Sequence, residues 1–247
     1  MEHEPASIEG TPLGDCLSCP YQANLLTGGY CKLGDACIQV KSGRQIDRFF
    51  RNNPALADSY LEDSFWETRA IAIRYASQQR LIGLIDDEDE VVRRAVAYRI
   101  PIEHLELLSN DPDREVRITV ADRLPLNKVE IMVDDNDYLV RVYVARRLAP
   151  GRLFRMMCDK DDQVRRVVAE RIAPMSLAMM IHDNNSMVRK VVAERIDPDN
   201  LVDLLNDSDW VVRLTAVLRA PLHVVSDIHN ETEPDIIAAI ESRLQHG

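Results

Sequence analysis

At 247 residues the chain could make one large domain or two small ones. Hydrophobic residues supply 46% of it and aromatics only 5%, so Leu, Ile, Val, Ala and Met must fill the interior. The formal net charge of -11 argues against a general nucleic-acid binder, which needs a basic footprint, and no apolar run approaches the ~20 residues of a membrane span.

The opening residues, Met1 to Pro5, lack the basic and apolar regions of a secretory leader, so a cytoplasmic protein is expected. Four of the five cysteines (Cys16, Cys19, Cys31 and Cys37) precede residue 38, and six of the nine glycines precede residue 44. This change in composition divides the chain into a turn-rich, thiolate-bearing segment over 1–45 and a helical array over 46–247. In a reducing compartment four thiols on a short stretch point to a metal site rather than disulfides. Their spacing is C-x2-C-x11-C-x5-C. A tetrahedral zinc and a four-cysteine iron–sulfur cluster both satisfy the ligand count, and the spacing alone leaves the two open. Pro20, directly after Cys19, is similar to bacterial ferredoxin ligation. Leu17, Tyr21, Leu25, Tyr30 and Leu33 are the candidates to shield the site.

Beyond this segment, valine-arginine pairs recur every 24 residues, at Arg93, Arg117, Arg141, Arg165, Arg189 and Arg213, with Arg69 in the same register. So strict a period implies stacked units that pack on their neighbours. Ala97, Ala121, Ala145 and Ala169 stand four places after the arginine, and Ile100, Leu124, Leu148 and Ile172 seven places after it. At about 100° per residue these positions share one arc of a helix. The spacing therefore predicts a helix of about three turns from Asp89 to Ile100 and in each copy. Paired acids (Asp87/Asp89, Asp111/Asp113 and onward) stand where N-caps belong, and prolines from Pro101 to Pro221 follow the helices. The remaining apolar pairs, such as Leu105/Leu108 and Leu177/Met180, fit one or two 3₁₀-like turns. About eight such units are expected, the last ending near Leu244 and departing from the pattern, with Ile237 in place of the arginine and Glu233 near the acid position.

The repeated arginines fall inside the apolar arc. A buried unpaired arginine would cost several kcal/mol, so a ladder of arginine–aspartate pairs is expected. A second series (Arg99, Arg123, Arg147, Arg171, Arg195, Arg219 and Arg243) lies at the arc's edge, placed to cap carbonyls or to line a groove. The varying position of Arg94, Ile118, Val142, Arg166, Lys190 and Leu214 is expected to face solvent or a partner. Met132, Met156, Met157, Met179 and Met180 read as core filling. Cys158 reads as an inert thiol, and the six histidines form no metal-binding pair. The D-x-D runs lack the features of a calcium loop, and no nucleotide-binding or nucleophile motif is present. An enzyme is not expected.

The chain resembles the leucine-rich repeat variant family, which joins an N-terminal cysteine motif to 24-residue repeats, here Asp161 through Ile172 as one example. HEAT-like repeats share some phrasing, but their units run ~40–47 residues. The resemblance implies a [4Fe–4S] cluster held by Cys16, Cys19, Cys31 and Cys37, an all-α right-handed superhelical solenoid of alternating α and 3₁₀ helices, and an association with nitrogen-fixation gene regions. The expected protein is a non-enzymatic electron-transfer or redox-responsive interaction module with a protein partner on its solenoid surface. The alternatives are a scaffold whose metal, cluster or zinc, only staples the N-terminus, and a nucleic-acid-binding repeat protein, which the acidic balance disfavours.

Overall fold

In a computed structural model, residues 10–246 are described; the leader reading over Met1 to Pro5, and His3 with it, falls outside them. The chain forms two compact units, Met1–Leu124 and Pro125–Gly247. The first holds the cysteine segment, then α1 (Gly43–Asn52), α2 (Trp66–Ala72), α3 (Glu90–Arg99) and α4 (Arg114–Arg123), with 3₁₀ helices at Pro54–Tyr60, Gln78–Leu84 and Leu105–Leu108 between them. The second holds α5 (Tyr138–Arg147), α6 (Asp162–Arg171), α7 (Ser186–Arg195), α8 (Trp210–Arg219), α9 (Leu222–Val225) and α10 (Pro234–His246). Its 3₁₀ helices include Val129–Met132, Pro150–Met156 and Pro174–Met180. The expected all-α class, with α and 3₁₀ helices alternating, is the architecture of each unit. No described helix is long and apolar enough to cross a membrane.

Helices α3 to α8 each start at a side-chain cap. The Asp89 carboxylate accepts the Val91 N–H at 2.9 Å, and Asp113, Asp137, Asp161, Asn185 and Asp209 do the same for their helices. Helix α3 stops where Ile100 turns extended (ψ 143°), as a residue before proline must. After α5 and α6 proline falls one place later, and Pro150 and Pro174 become the first residues of the 3₁₀ helices instead. The arc predicted from the spacing is the core: Val92, Val96, Ala97 and Ile100 are fully buried, as are Val164, Val168 and Ala169. Alanine at the helix contacts lets neighbouring helices approach closely, and Leu105/Leu108 and Leu177/Met180 close the core from the 3₁₀ side.

The arginine ladder is built as expected, and each rung reaches forward to the next repeat. Arg93 donates through Nε and Nη2 to both Asp111 oxygens at 2.8 and 3.0 Å, and through Nη1 to the Asp87 carbonyl at 2.8 Å. Arg69 grips Asp87 in the same way. In the second unit Arg141 pairs with Asp159, Arg165 with Asp183 and Arg189 with Asp207. Each acid also accepts the backbone N–H two residues on, so one carboxylate ties the preceding arginine to the turn that starts its own helix. The last rung uses a residue the pattern had not singled out. Arg213 takes Glu231, not Glu233, at 2.8 and 3.1 Å. That pairing lowers the Glu231 carboxyl from 4.5 to about 2, against the burial that opposes ionisation.

The second arginine series caps carbonyls. Arg99 donates to the carbonyls of Ile73 and Ala76, and Arg123 to those of Ala97 and Ile100, in each case the end of the preceding helix. Two expectations are corrected. Ile118 and Val142 are buried rather than solvent-facing, while Arg94 and Arg166 at the same register are exposed. The register lies on the border of the apolar arc, where an apolar side chain turns inward and a charged one extends to water. Met179 is 67% exposed and is not core filling, because it falls opposite the inward pair Leu177 and Met180 on its 3₁₀ helix.

Two outcomes follow for urea unfolding. Asp161→Ala removes a cap and lowers stability by about 1 kcal/mol, whereas Asp159→Ala strands the buried Arg141 and costs at least about 3 kcal/mol. The depressed Glu231 carboxyl contributes stability that is present above pH 4.5 and lost as pH falls towards 2. Glu231→Gln should flatten that part of the stability–pH curve, measured by thermal unfolding.

Candidate metal centre

The four N-terminal cysteines border one cavity. Cys16, Cys19, Cys31 and Cys37 line it together with Gly14, Tyr21, Leu26, Leu33, Ala36 and Phe49, around about 360 Å³ of non-atom space that opens to solvent. Among the described residues, no three His, Cys, Asp or Glu side chains are grouped as ligands of a single ion. Cys37 is buried and the other three are partly exposed.

Local backbone geometry brings these sulfurs together. The Asp15 carboxylate accepts the Leu17 N–H at 2.9 Å, folding the C-x2-C bend, and its pKa is lowered by hydrogen bonds from Ser18 and Leu17. A single wide helical turn, Gln22–Leu26, follows, and the Leu25 carbonyl accepts the N–H groups of Tyr30 and Cys31 at 2.8 and 3.2 Å. Between Cys31 and Cys37 the chain reverses through a reciprocal pair of Lys32–Ala36 backbone bonds, both 2.9 Å. Gly34, at φ +72°, supplies the left-handed residue this reversal requires. The five-residue spacer is thus a tight turn that returns the second cysteine beside the first.

Helix α1 is the floor. The Cys37 N–H donates to the Gln45 carbonyl at 3.2 Å, and the Gln45 amide donates to the Pro12 carbonyl at 2.9 Å. Asn53 donates to the carbonyls of Tyr30 and Phe49, both at 2.9 Å. Tyr60 donates to the Tyr21 hydroxyl at 3.0 Å, and burial is the first cause pushing the Tyr60 phenol pKa upward. An Arg48–Asp35 ion pair closes the outer side. None of Gln45, Phe49, Asn53 or Tyr60 was singled out from sequence. The Phe49–Phe50 pair just past the glycine-rich stretch was the available signal. Of the predicted shielding residues, Tyr21 and Leu33 line the cavity. Leu17 is 85% and Tyr30 56% exposed, because the bends around the cysteines turn them outward, and Leu26 and Phe49 serve instead.

The electrostatics favour a positively charged occupant. Burial pushes the Cys31 thiol upward, and repulsion from Cys19, Cys37 and Cys16 adds to it. Burial does the same to Cys37, opposed by backbone N–H groups of Gln39 and Val40 at its sulfur. Thiolates at Cys31 and Cys37 therefore form more readily beside a bound cation. An all-sulfur donor set spread around one cavity, and not gathered on a single point among the described residues, fits an iron–sulfur cluster better than a lone zinc ion. Cys158 is exposed and takes no part.

Comparison with known proteins agrees with this geometry. Residues 9–59 match the family described as "LRV protein FeS4 cluster", and residues 91–113 match "Leucine rich repeat variant". A solved structure titled "A leucine-rich repeat variant with a novel repetitive protein structural motif" is 56% identical, with a TM-score of 0.91 over 94% of this chain and all of that one. The chain belongs to the leucine-rich repeat variant family, and its N-terminal segment carries that family's iron–sulfur motif. A Rhodobacter capsulatus protein, described as an uncharacterized 27.7 kDa protein in the nifB 3' region, is 42% identical over 103 residues. That match covers 42% of this chain and 41% of the relative, so it spans about two fifths of the relative's length.

Gly14 gives a direct check on the cavity. A Cβ there would stand 2.9 Å from the Cys37 sulfur and 3.1 Å from Gln39 Cβ. Gly14→Ala should displace Cys37 and lower the bound metal per chain, read by elemental analysis, while the far-ultraviolet helical signal is kept.

Proposed function

We propose that Cys16, Cys19, Cys31 and Cys37 hold a [4Fe–4S] cluster on segment 1–45, and that the protein is a non-enzymatic electron-transfer or redox-responsive protein whose 46–247 repeat array binds a protein partner in the cytoplasm. The observation that carries this reading is the convergence of all four thiols on one cavity, within a segment that matches the family's iron–sulfur motif. Such a cluster supplies one-electron chemistry. The chain's own residues hold and shield it: Phe49 and Leu26 keep water from the inner side, and the Gln39 and Val40 N–H groups stabilise the Cys37 thiolate. The partly exposed Cys16, Cys19 and Cys31 leave an edge near the surface for electron exchange. A link to nitrogen fixation forms part of the proposal and rests on the printed description of the Rhodobacter capsulatus relative.

A second reading, in which the metal serves as a folding staple, is favoured by how little the segment buries. Between residues 10 and 42 only Ala36, Cys37 and Val40 are buried, too small a core to order the stretch unaided.

Protein purified without oxygen should carry iron and inorganic sulfide, show a broad visible absorption band and undergo reversible one-electron reduction. A colourless protein with one zinc per chain would overturn the cluster assignment, and a cluster without reversible reduction would leave the staple alone. Cys31→Ser should lose the metal and open the region before α2 to limited proteolysis; unchanged protease resistance would count against the staple.

A further inference from the structure

Two arginine series run through the second unit, and among the described residues four members of the second, Arg171, Arg195, Arg219 and Arg243, are not paired with carboxylates as the first series is. Arg141, Arg165 and Arg189 each grip an aspartate of the next repeat. Arg171, Arg195, Arg219 and Arg243 instead donate only to main-chain carbonyls: Arg171 to Ala145 and Leu148, Arg195 to Ala169 and Ile172, Arg219 to Ala193, and Arg243 to Val217 and Ala220. Among the described residues none of the four forms an ion pair, and all four are only partly buried. A guanidinium has five N–H donors, and these bonds leave several of them on each arginine unused. In a protein of net charge -11, the result is a local row of cations, one per repeat.

The surroundings of the row differ along its length. Beyond the carbonyls held by Arg171 and Arg195 the chain continues into Pro150–Gly151–Arg152 and Pro174–Met175, with no acid in either connection. Pro150 and Pro174 are exposed, Met175 is 89% exposed, and a side chain at Gly151 would meet nothing within 4 Å. At Arg219 the corresponding connection carries Asp197 and Asp199. Cationic and apolar character therefore coincide at Arg171 and Arg195.

We propose that this strip docks an extended acidic peptide, with carboxylates bonded to Arg171 and Arg195 and an apolar side chain between them resting on Met175 and the prolines. Packed helices lie about 8–10 Å apart, and an extended chain advances about 3.3 Å per residue. Acids three residues apart therefore meet successive arginines, each able to bind a carboxylate through two parallel N–H groups. Neither Pro150–Gly151–Arg152 nor Pro174–Met175 contains an aromatic residue on which unpaired bases would stack, the nearest exposed ring being Phe154 further along the same 3₁₀ helix, which favours peptide over single-stranded nucleic acid. This inference is independent of the metal centre.

The test is fluorescence anisotropy on the full chain with a labelled peptide carrying glutamate at every third position and leucine between. The glutamate peptide should bind, weaken as salt is raised, and bind at least about tenfold more tightly than its glutamine counterpart. The double variant Gly151→Glu, Met175→Glu leaves every cap intact and should weaken binding by about tenfold with unchanged thermal unfolding. Equal affinity for the glutamine peptide, no binding at low salt, undiminished binding by the double variant, or preferential binding of a single-stranded oligonucleotide would each overturn the proposal.

Discussion

The architecture depends on one carboxylate doing three things at once. Asp111 takes both forks of Arg93 from the preceding repeat, accepts the Asp113 N–H, and through that turn sets the position from which Asp113 caps α4. A charge buried in an apolar arc is costly alone, and the geometry that neutralises it also fixes where the next helix begins. Stacking and capping therefore stand or fall together in each rung. The alanines make this possible, since only a small side chain lets adjacent helices come near enough for an arginine to reach an acid eighteen residues further on.

The other end of each helix is completed by its neighbour as well. Helices commonly finish with a glycine that turns the chain and satisfies the last carbonyls. Here only Gly83, Gly151 and Gly247 occur after residue 44, and an arginine from the following repeat occupies the carbonyls instead, as Arg123 does for Ala97 and Ile100. Burial works against the Arg123 charge, and the negative end of the α3 dipole offsets that cost.

Much of this was legible from period and residue type, because a 24-residue register exposes the same duty many times over. Inward valines, capping acids and the arginine ladder could all be read from copies of one another. What escaped was whatever occurs once. Glu231 closes the last rung with a longer side chain and breaks the aspartate pattern. The α1 floor of the metal cavity is not a repeat, so Gln45, Phe49 and Asn53 had no copies to compare. Border positions also failed: Ile118 and Arg94 share a register but not an environment, because side-chain chemistry decides which way a residue on that boundary turns. At the cysteines the residue type pointed to the four thiols that line one cavity. The direction of Leu17 and Tyr30 followed from bends that only a three-dimensional path defines.

The ladder's forward reach governs how such a chain can change over evolutionary time. An insertion of a few residues anywhere between Arg141 and Asp159 would separate a cation from its anion and misplace the α6 cap in the same event. Duplication or loss of one entire module preserves every pairing and merely moves the terminus. Ile237, 37% exposed, stands where the register would place an arginine, so the rung of Arg213 with Glu231 is the last that the pattern forms among the described residues. Relatives of this molecule should therefore vary in length by multiples of a single unit rather than by drift in loop size.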